Sequence, residues 1–276
     1  MNLTEAVLLG AVQGLTEFLP VSSSGHLVLF QNLLGLKEPL LAFDISVHVG
    51  TLFAVVIYFF KDIIGILKAL ARWLAVLPDR QAASALLAQD REIRIALLIV
   101  TGSIPTAILG LLFKEIAETL FSSVTIVGAT LIITGIVLWG TRRFGKAGHG
   151  IRQFTVKKSF AIGVIQGLAI IPGISRSGST IAAGLYLGLD RETATRFSFL
   201  LSIPAVAGAG LLGTGDLVGQ DNLPTMIIAT GTLVSCIVGY ASLKLLVWMV
   251  SRGRLHYFTP YCVVVGCLAL VVSFAG

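Results

Sequence analysis

The sequence predicts an all-α integral membrane protein: an inverted-topology repeat with six transmembrane helices plus two re-entrant helical hairpins. Three observations carry that prediction. Of the 276 residues, 55% are hydrophobic and only 12% charged, against roughly 25% charged in a soluble domain, and the mean hydropathy is +0.92. The apolar residues fall in blocks of bilayer-crossing length, about 20 residues each. Two segments interrupted by Pro, Gly and Ser repeat one another at a fixed spacing.

The six blocks run over 42–60, 95–113, 124–140, 197–213, 226–249 and 257–274. Residues 63–77, "IIGILKALARWLAVL", place Lys68 and Arg72 one turn apart on one face, which reads as a helix lying in the interface rather than spanning it. Two apolar pieces remain, 1–36 and 159–189. Each is a helix-like run, a break, and a second run of about half a bilayer. Backbone groups freed by such a break are tolerated only inside protein or beside a wet cavity, so both pieces are expected to turn back as hairpins.

Charge orients this arrangement. The segments 61–94, 141–158, 189–196 and 250–256 hold sixteen of the twenty Lys and Arg residues. On the opposite face stand Lys37 and Lys114, with Asp216 and Asp221 in the loop 214–225. By the positive-inside rule the basic face is cytoplasmic; both termini and the mouth of the first hairpin are then outside. The net charge of +6 flanks apolar blocks and forms no stripe, which argues against nucleic acid as a partner. Cys236, Cys262 and Cys267 lie in apolar runs without metal or disulfide spacing and read as packing residues. No positive leader or small-residue cleavage site marks a signal peptide.

Residues 10–36 align with 163–189 without a gap, and ten of twenty-seven positions are identical: Gly10, Gln13, Gly14, Leu15, Ser22, Ser24, Gly25, Leu34, Gly35 and Leu36. The chain thus reads as a single polytopic domain, 1–276, with one repeat in 1–140 and the other in 159–276. Three spans follow each hairpin, and an odd number of crossings inverts the second copy. Inverted repeats around broken helices place their site where the breaks meet, near the midplane.

The breaks are "QGLTEFLPVSSSGHL" (13–27) and "QGLAIIPGISRSGST" (166–180), and their differences point to chemistry. Glu17 in the first faces Ile170 in the second; Ser23 faces Arg176. Charges at membrane depth are costly, about 2.5–3.5 kcal/mol each on the insertion scale. A buried Glu17–Arg176 ion pair that only ties the hairpins together is one reading, but it leaves the surrounding hydroxyls unexplained. Gln13, Ser22, Ser24 and Gly25, with Ser175, Ser177, Gly178, Ser179 and Thr180 around Arg176, describe an oxyanion cradle, for which phosphate is the guest that suits an arginine fork and helix N-termini. Glu17, Ser23, His26 and Arg176 are the candidate catalytic residues, since an acid, a hydroxyl and an imidazole on one hairpin suit proton transfer. Asp44 and His48, one turn apart, are candidate metal ligands alongside Glu17, or a helix-locking pair. His149 and His256 fall in basic loops and read as solvated.

In these two motifs the chain resembles the undecaprenyl-diphosphate phosphatase family, also called the bacitracin-resistance proteins, and the likeness covers essentially the whole length. The resemblance implies a polyprenyl diphosphate lipid as substrate, cleaved to the monophosphate to recycle the carrier for wall synthesis in a bacterial plasma membrane. It also implies a divalent cation, Mg²⁺ or Ca²⁺, and active-site roles for Gln13, Glu17, Ser22 or Ser23, His26 and Arg176. Many relatives carry Glu where this chain has Gln13, so this chain has one carboxylate, Glu17, where they have two. Ser23 as nucleophile and metal-activated water both stay open. Rival readings are a transporter or flippase of a phosphorylated lipid, an intramembrane serine protease suggested by "SSSGH", and a scaffold with buried polar pairs. Oligomeric state, a homodimer included, stays open as well.

Overall fold

The computed structural model describes residues 1–36, 40–113, 123–144, 148–216 and 223–275, and the described chain is almost entirely helical. Lys37, Lys114 and Asp221, and the side chain of Asp216, on which the expectation for the less basic face rests, lie outside the described residues.

Helix α1 (Leu3–Phe18) opens with a reciprocal cap, in which the Asn2 side chain accepts from the Glu5 amide and the Glu5 carboxylate accepts from the Asn2 amide. It stops where Leu19 turns extended ahead of Pro20. After the break, α2 (Ser23–Leu33) begins. Then come α3 (Leu41–Tyr58), the amphipathic α4 (Phe60–Ala75), α5 (Arg80–Gln89), α6 (Arg91–Phe113) and α7 (Val124–Gly140). The second half repeats the pattern with α8 (Val156–Leu168), a break, α9 (Arg176–Tyr186), α10 (Arg191–Asp216), α11 (Thr225–Ser251) and α12 (Thr259–Ala275).

Among the described residues six helices are long and apolar enough to cross a membrane: α3, α6, α7, α10, α11 and α12. They match the six expected blocks, with one systematic difference. Helices α6 and α10 start one to two turns before the apolar residues do. Asp90 and Asp190 explain this. The Asp90 side chain accepts from the amides of Glu92 and Ile93, and that of Asp190 from Thr193, so each helix is nucleated by a cap in its polar flank. "DREIR" and "DRET" carry that signal in the sequence, and hydropathy alone passes over it. Helix α5, likewise capped by Asp79, falls in the basic segment 61–94 beyond the expected interfacial helix 63–77.

Packing interleaves the halves. Helix α1 lies along α11, and α8 lies along α6. Gly10 and Gly163, equivalent in the repeat, explain how closely. A Cβ on Gly10 would stand 2.7 Å from the Gly231 carbonyl oxygen, and one on Gly163 would run into the Gly102 backbone. Such small-on-small contacts let membrane helices approach backbone to backbone. Helices α3 and α10 pack on each other at the centre, while α7 and α12 form a flanking pair.

The apolar core divides in two. One cluster gathers Ala6 and Leu9 of α1, Leu27 of α2, Phe43 and Val47 of α3 and Ile227 of α11, bordered by Met1, Leu34, Leu40 and Leu223. The larger includes Phe18, Phe59, Leu138, Phe154, Leu185, Phe197 and Leu246. At that other end a cleft of about 750 Å³ is lined by Tyr58, Asp62, Arg91, Arg191, Arg196 and Val247, among others.

Candidate active site

Both breaks leave backbone groups that no helix can satisfy, and side chains from elsewhere satisfy them. Ser177 Oγ donates to the Phe18 carbonyl at 2.8 Å, capping the end of α1. Cys262 Sγ reaches the Pro20 carbonyl at 3.3 Å. On the second break, Thr130 Oγ1 donates to the Pro172 carbonyl at 2.5 Å and Thr134 Oγ1 to that of Gly173 at 3.0 Å. The Gly173 amide in turn donates to Ser22 Oγ at 3.1 Å, so the breaks touch directly. Gly178 lies flat against the first break, where a Cβ would come within 2.8 Å of Pro20 Cβ.

At this junction Glu17 is the hub. Arg176 Nη2 donates to Oε1 at 2.5 Å, while Oε2 accepts from Ser23 Oγ at 2.7 Å and from Gln13 Nε2 at 3.1 Å. His48 Nε2 stands 3.9 Å from the same Oε2. The Glu17 side chain is 9% exposed and that of Arg176 16%, so the pair sits in a poorly hydrated place where each charge depends on the other. Two groups here keep capacity in reserve. Arg176 Nη1 and Gln13 Oε1 are buried and have no hydrogen-bond partner among the described residues. Ser22, at a φ of 69° in the left-handed region, makes no side-chain cap to α2, which leaves the first-turn amides of that helix available to an anion.

The structure sorts the remaining expected site residues. Gln13, Glu17, Ser23 and Arg176 come together, with Ser22 and Ser24 adjoining through a 3.3 Å contact between their hydroxyls and Gly25 in the first turn of α2. On the second break the hydroxyls of Ser175, Ser177 and Thr180 are already engaged. Ser175 Oγ caps α9 through the Gly178 amide at 3.2 Å, and Thr180 Oγ1 donates to the Arg176 carbonyl at 2.8 Å. Ser177 caps α1, and Ser179 is buried. His26 meets neither Glu17 nor Ser23 in a hydrogen bond; its Nδ1 is 2.8 Å from the Ser22 carbonyl and its Nε2 is 2.6 Å from the hydroxyl of Tyr261. Tyr261 escapes a sequence reading, and Cys262 reads only as a packing residue, because both open an apolar run that carries no motif.

The expected Asp44–His48 pair divides. The Asp44 carboxylate accepts from Gln31 at 2.7 Å, and His48 Nδ1 bonds the Asp44 backbone carbonyl instead, which aims Nε2 at Glu17. Among the described residues no three His, Cys, Asp or Glu side chains are grouped to hold a metal ion. His149 is exposed, whereas His256 is half-buried against Tyr257; the loop helix 255–258 folds back onto the protein.

With this geometry in view, the comparisons with known proteins become specific. The family model for the bacitracin resistance protein BacA matches residues 6–268, nearly the whole chain and both breaks. The chain belongs to the BacA family. Its relatives include proteins named undecaprenyl-diphosphatase from Desulforapulum autotrophicum, 48% identical over 276 residues and the full length of both chains, and from Desulfatibacillum aliphaticivorans, 49% identical over 99% of this chain and all of the other. A third, from Methanosphaera stadtmanae, is 44% identical over 99% of each chain. BacA membership and the six apolar helices together make this a multi-pass membrane protein.

Proposed function

We propose that this chain is an undecaprenyl-diphosphate phosphatase: it adds water across the phosphoanhydride bond of undecaprenyl diphosphate, releasing the monophosphate and inorganic phosphate. BacA membership and the relatives' names support the reaction. The observation that carries the assignment of residues is the hydrogen bond of 2.7 Å from Ser23 Oγ to Glu17 Oε2. A hydroxyl held by a carboxylate that is itself oriented by a third group is the arrangement of an activated nucleophile. Here Arg176 and Gln13 do the orienting.

In this reading Arg176 Nη1 and the first-turn amides of α2 bind the terminal phosphate, and their hold tightens as charge builds on the transferring group. Glu17 takes the Ser23 proton as Oγ attacks phosphorus in line; the bond from phosphorus to the bridging oxygen breaks, and the lipid monophosphate leaves. Water then displaces Ser23 from the phosphoseryl group: His26 accepts the water's proton, and Glu17 returns the proton it holds to Ser23 Oγ. Glu17 and the Ser23 hydroxyl beside it are the oxygens that would hold a divalent cation, Mg²⁺ or Ca²⁺, brought in with the diphosphate. Such a cation would offset the diphosphate's negative charge. The buried hydroxyls of Ser175, Ser177 and Thr180 are scaffold in this assignment, since each already serves a backbone or hydroxyl partner.

We also infer that the breaks are the turning points of re-entrant hairpins in an inverted repeat. Support comes from the ends that pack together. The start of α1 and the end of α2 share a cluster with the starts of α3 and α11. His149, ahead of α8, bridges to Leu189 beyond α9. The exchanged pairs α1 with α11 and α8 with α6 are what an inverted repeat requires. With the basic ends of α6 and α10 on the cytoplasmic side, the site opens outward.

Detergent-purified protein given undecaprenyl diphosphate tests this directly. Arg176→Ala should cut phosphate release by about 10²–10³-fold, the usual loss for a transition-state charge donor; normal turnover would dispose of the cradle, and a pure carrier would release no phosphate at all. Labelled phosphate trapped on Ser23 supports the covalent route, and direct attack by water leaves none.

A further inference from the structure

The first turn of α12 touches the first break at two consecutive residues. Cys262 satisfies the Pro20 carbonyl, and Tyr261 places its hydroxyl 2.6 Å from His26 Nε2 with the two rings stacked, centroids 5.7 Å apart and planes at 18°. The other ring nitrogen, Nδ1, lies 2.8 Å from the Ser22 carbonyl. A carbonyl oxygen only accepts, so Nδ1 carries the hydrogen. In the neutral ring Nε2 then presents its lone pair, and the Tyr261 hydroxyl donates to it. His26 is buried at 7% exposure, and both of its nitrogens are engaged.

We propose that Tyr261 is a positioning residue for the phosphatase reaction, holding His26 in the Nδ1–H tautomer with its ring plane fixed beside Ser23. This rests on the site reading above. His26 follows Ser23 by three residues on α2, which puts both side chains on one face of the helix. A phenol suits the place because its oxygen both donates to a neutral Nε2 and accepts from a protonated one, so the ring keeps its orientation in either state. Phenylalanine would keep the stack and lose the hydroxyl. Nε2 would then be a buried acceptor without its partner, and the ring would lose one of its two anchors.

Two measurements decide it. Nitrogen-15 spectra of histidine-labelled wild-type protein in detergent should show His26, assigned by its absence in His26→Gln, as a single Nδ1–H tautomer; in Tyr261→Phe the signal should shift toward a tautomer mixture. Phosphate release by Tyr261→Phe, normalised to folded protein, should fall in kcat by about tenfold, a loss equivalent to one hydrogen bond, with KM changed less than about twofold. A wild-type His26 in the Nε2–H form overturns the proposal, whether or not the variant folds, and so does wild-type kcat in Tyr261→Phe. Full turnover by Arg176→Ala would instead strike the site reading itself, so the two failures are distinguishable.

Discussion

Ser22 and Ser175 hold equivalent places in the repeat, each just ahead of a helix, and their hydroxyls do different things. Ser175 Oγ accepts from the Gly178 amide at 3.2 Å and caps α9. Ser22 Oγ accepts from Gly173 of the other break at 3.1 Å and gives α2 no cap. The difference extends along both segments. Around the second break Ser175, Ser177, Ser179 and Thr180 are buried, and its loop is tied to α7 through Thr130 and Thr134. The first break keeps Ser23 and Ser24 partly open, a left-handed Ser22, and a helix whose leading amides lack a side-chain partner. In the proposed reaction one copy of the motif is a frame and the other the working face. Their charges divide the same way, with the frame lending Arg176 to the face that holds Glu17.

That contrast can be broken most sharply at Glu17. Glu17→Gln keeps the side chain's size and should lower phosphate release by about 10²–10⁴-fold, the range for a positioned acid or base, while thermal melting in detergent still reports a folded protein. Activity near wild type would remove the working role from the first break. A smaller, structural effect tests the equivalence of the two halves. Gly10→Val and Gly163→Val each force a side chain into a helix backbone and should each destabilise by about 1–3 kcal/mol; a large loss at one and none at the other would mean that the interleaved contacts are not equivalent. The smallest effect is expected at the frame. Ser175→Ala removes a helix cap, costs about 1 kcal/mol, and should leave turnover within about tenfold of wild type. A collapse of turnover with stability intact would return Ser175 to the cradle.

That Gln13, Glu17, Ser23 and Arg176 belong together was legible in the sequence because the breaks are chemically loud. A Gln, a Glu and serines in hydrocarbon-rich surroundings stand out, and the repeat offset puts Ser23 opposite Arg176 before any coordinates are known. The quieter arrangements show only in three dimensions, for physical reasons. Tyr261 and Cys262 sit in an apolar helix, and what makes them relevant is contact with residues more than two hundred positions away. Asp44 and His48 look like a pair at helical spacing, yet the imidazole bonds the backbone and turns toward Glu17. Serines around Arg176 look like a cradle, yet most of their hydroxyls close gaps in the backbone.

By itself the sequence determined the membrane class, the six long apolar helices and the two points where shorter helices must break. Those follow from local quantities: how many apolar residues run together, and where Pro and Gly interrupt them. Only the tertiary structure decided which break is capped and which is open, which nitrogen of His26 meets which oxygen, and that Glu17 faces Arg176 and Ser23 together. A hydrogen bond depends on distance and direction between groups that the chain brings together from far apart, and no local pattern of residues carries that information.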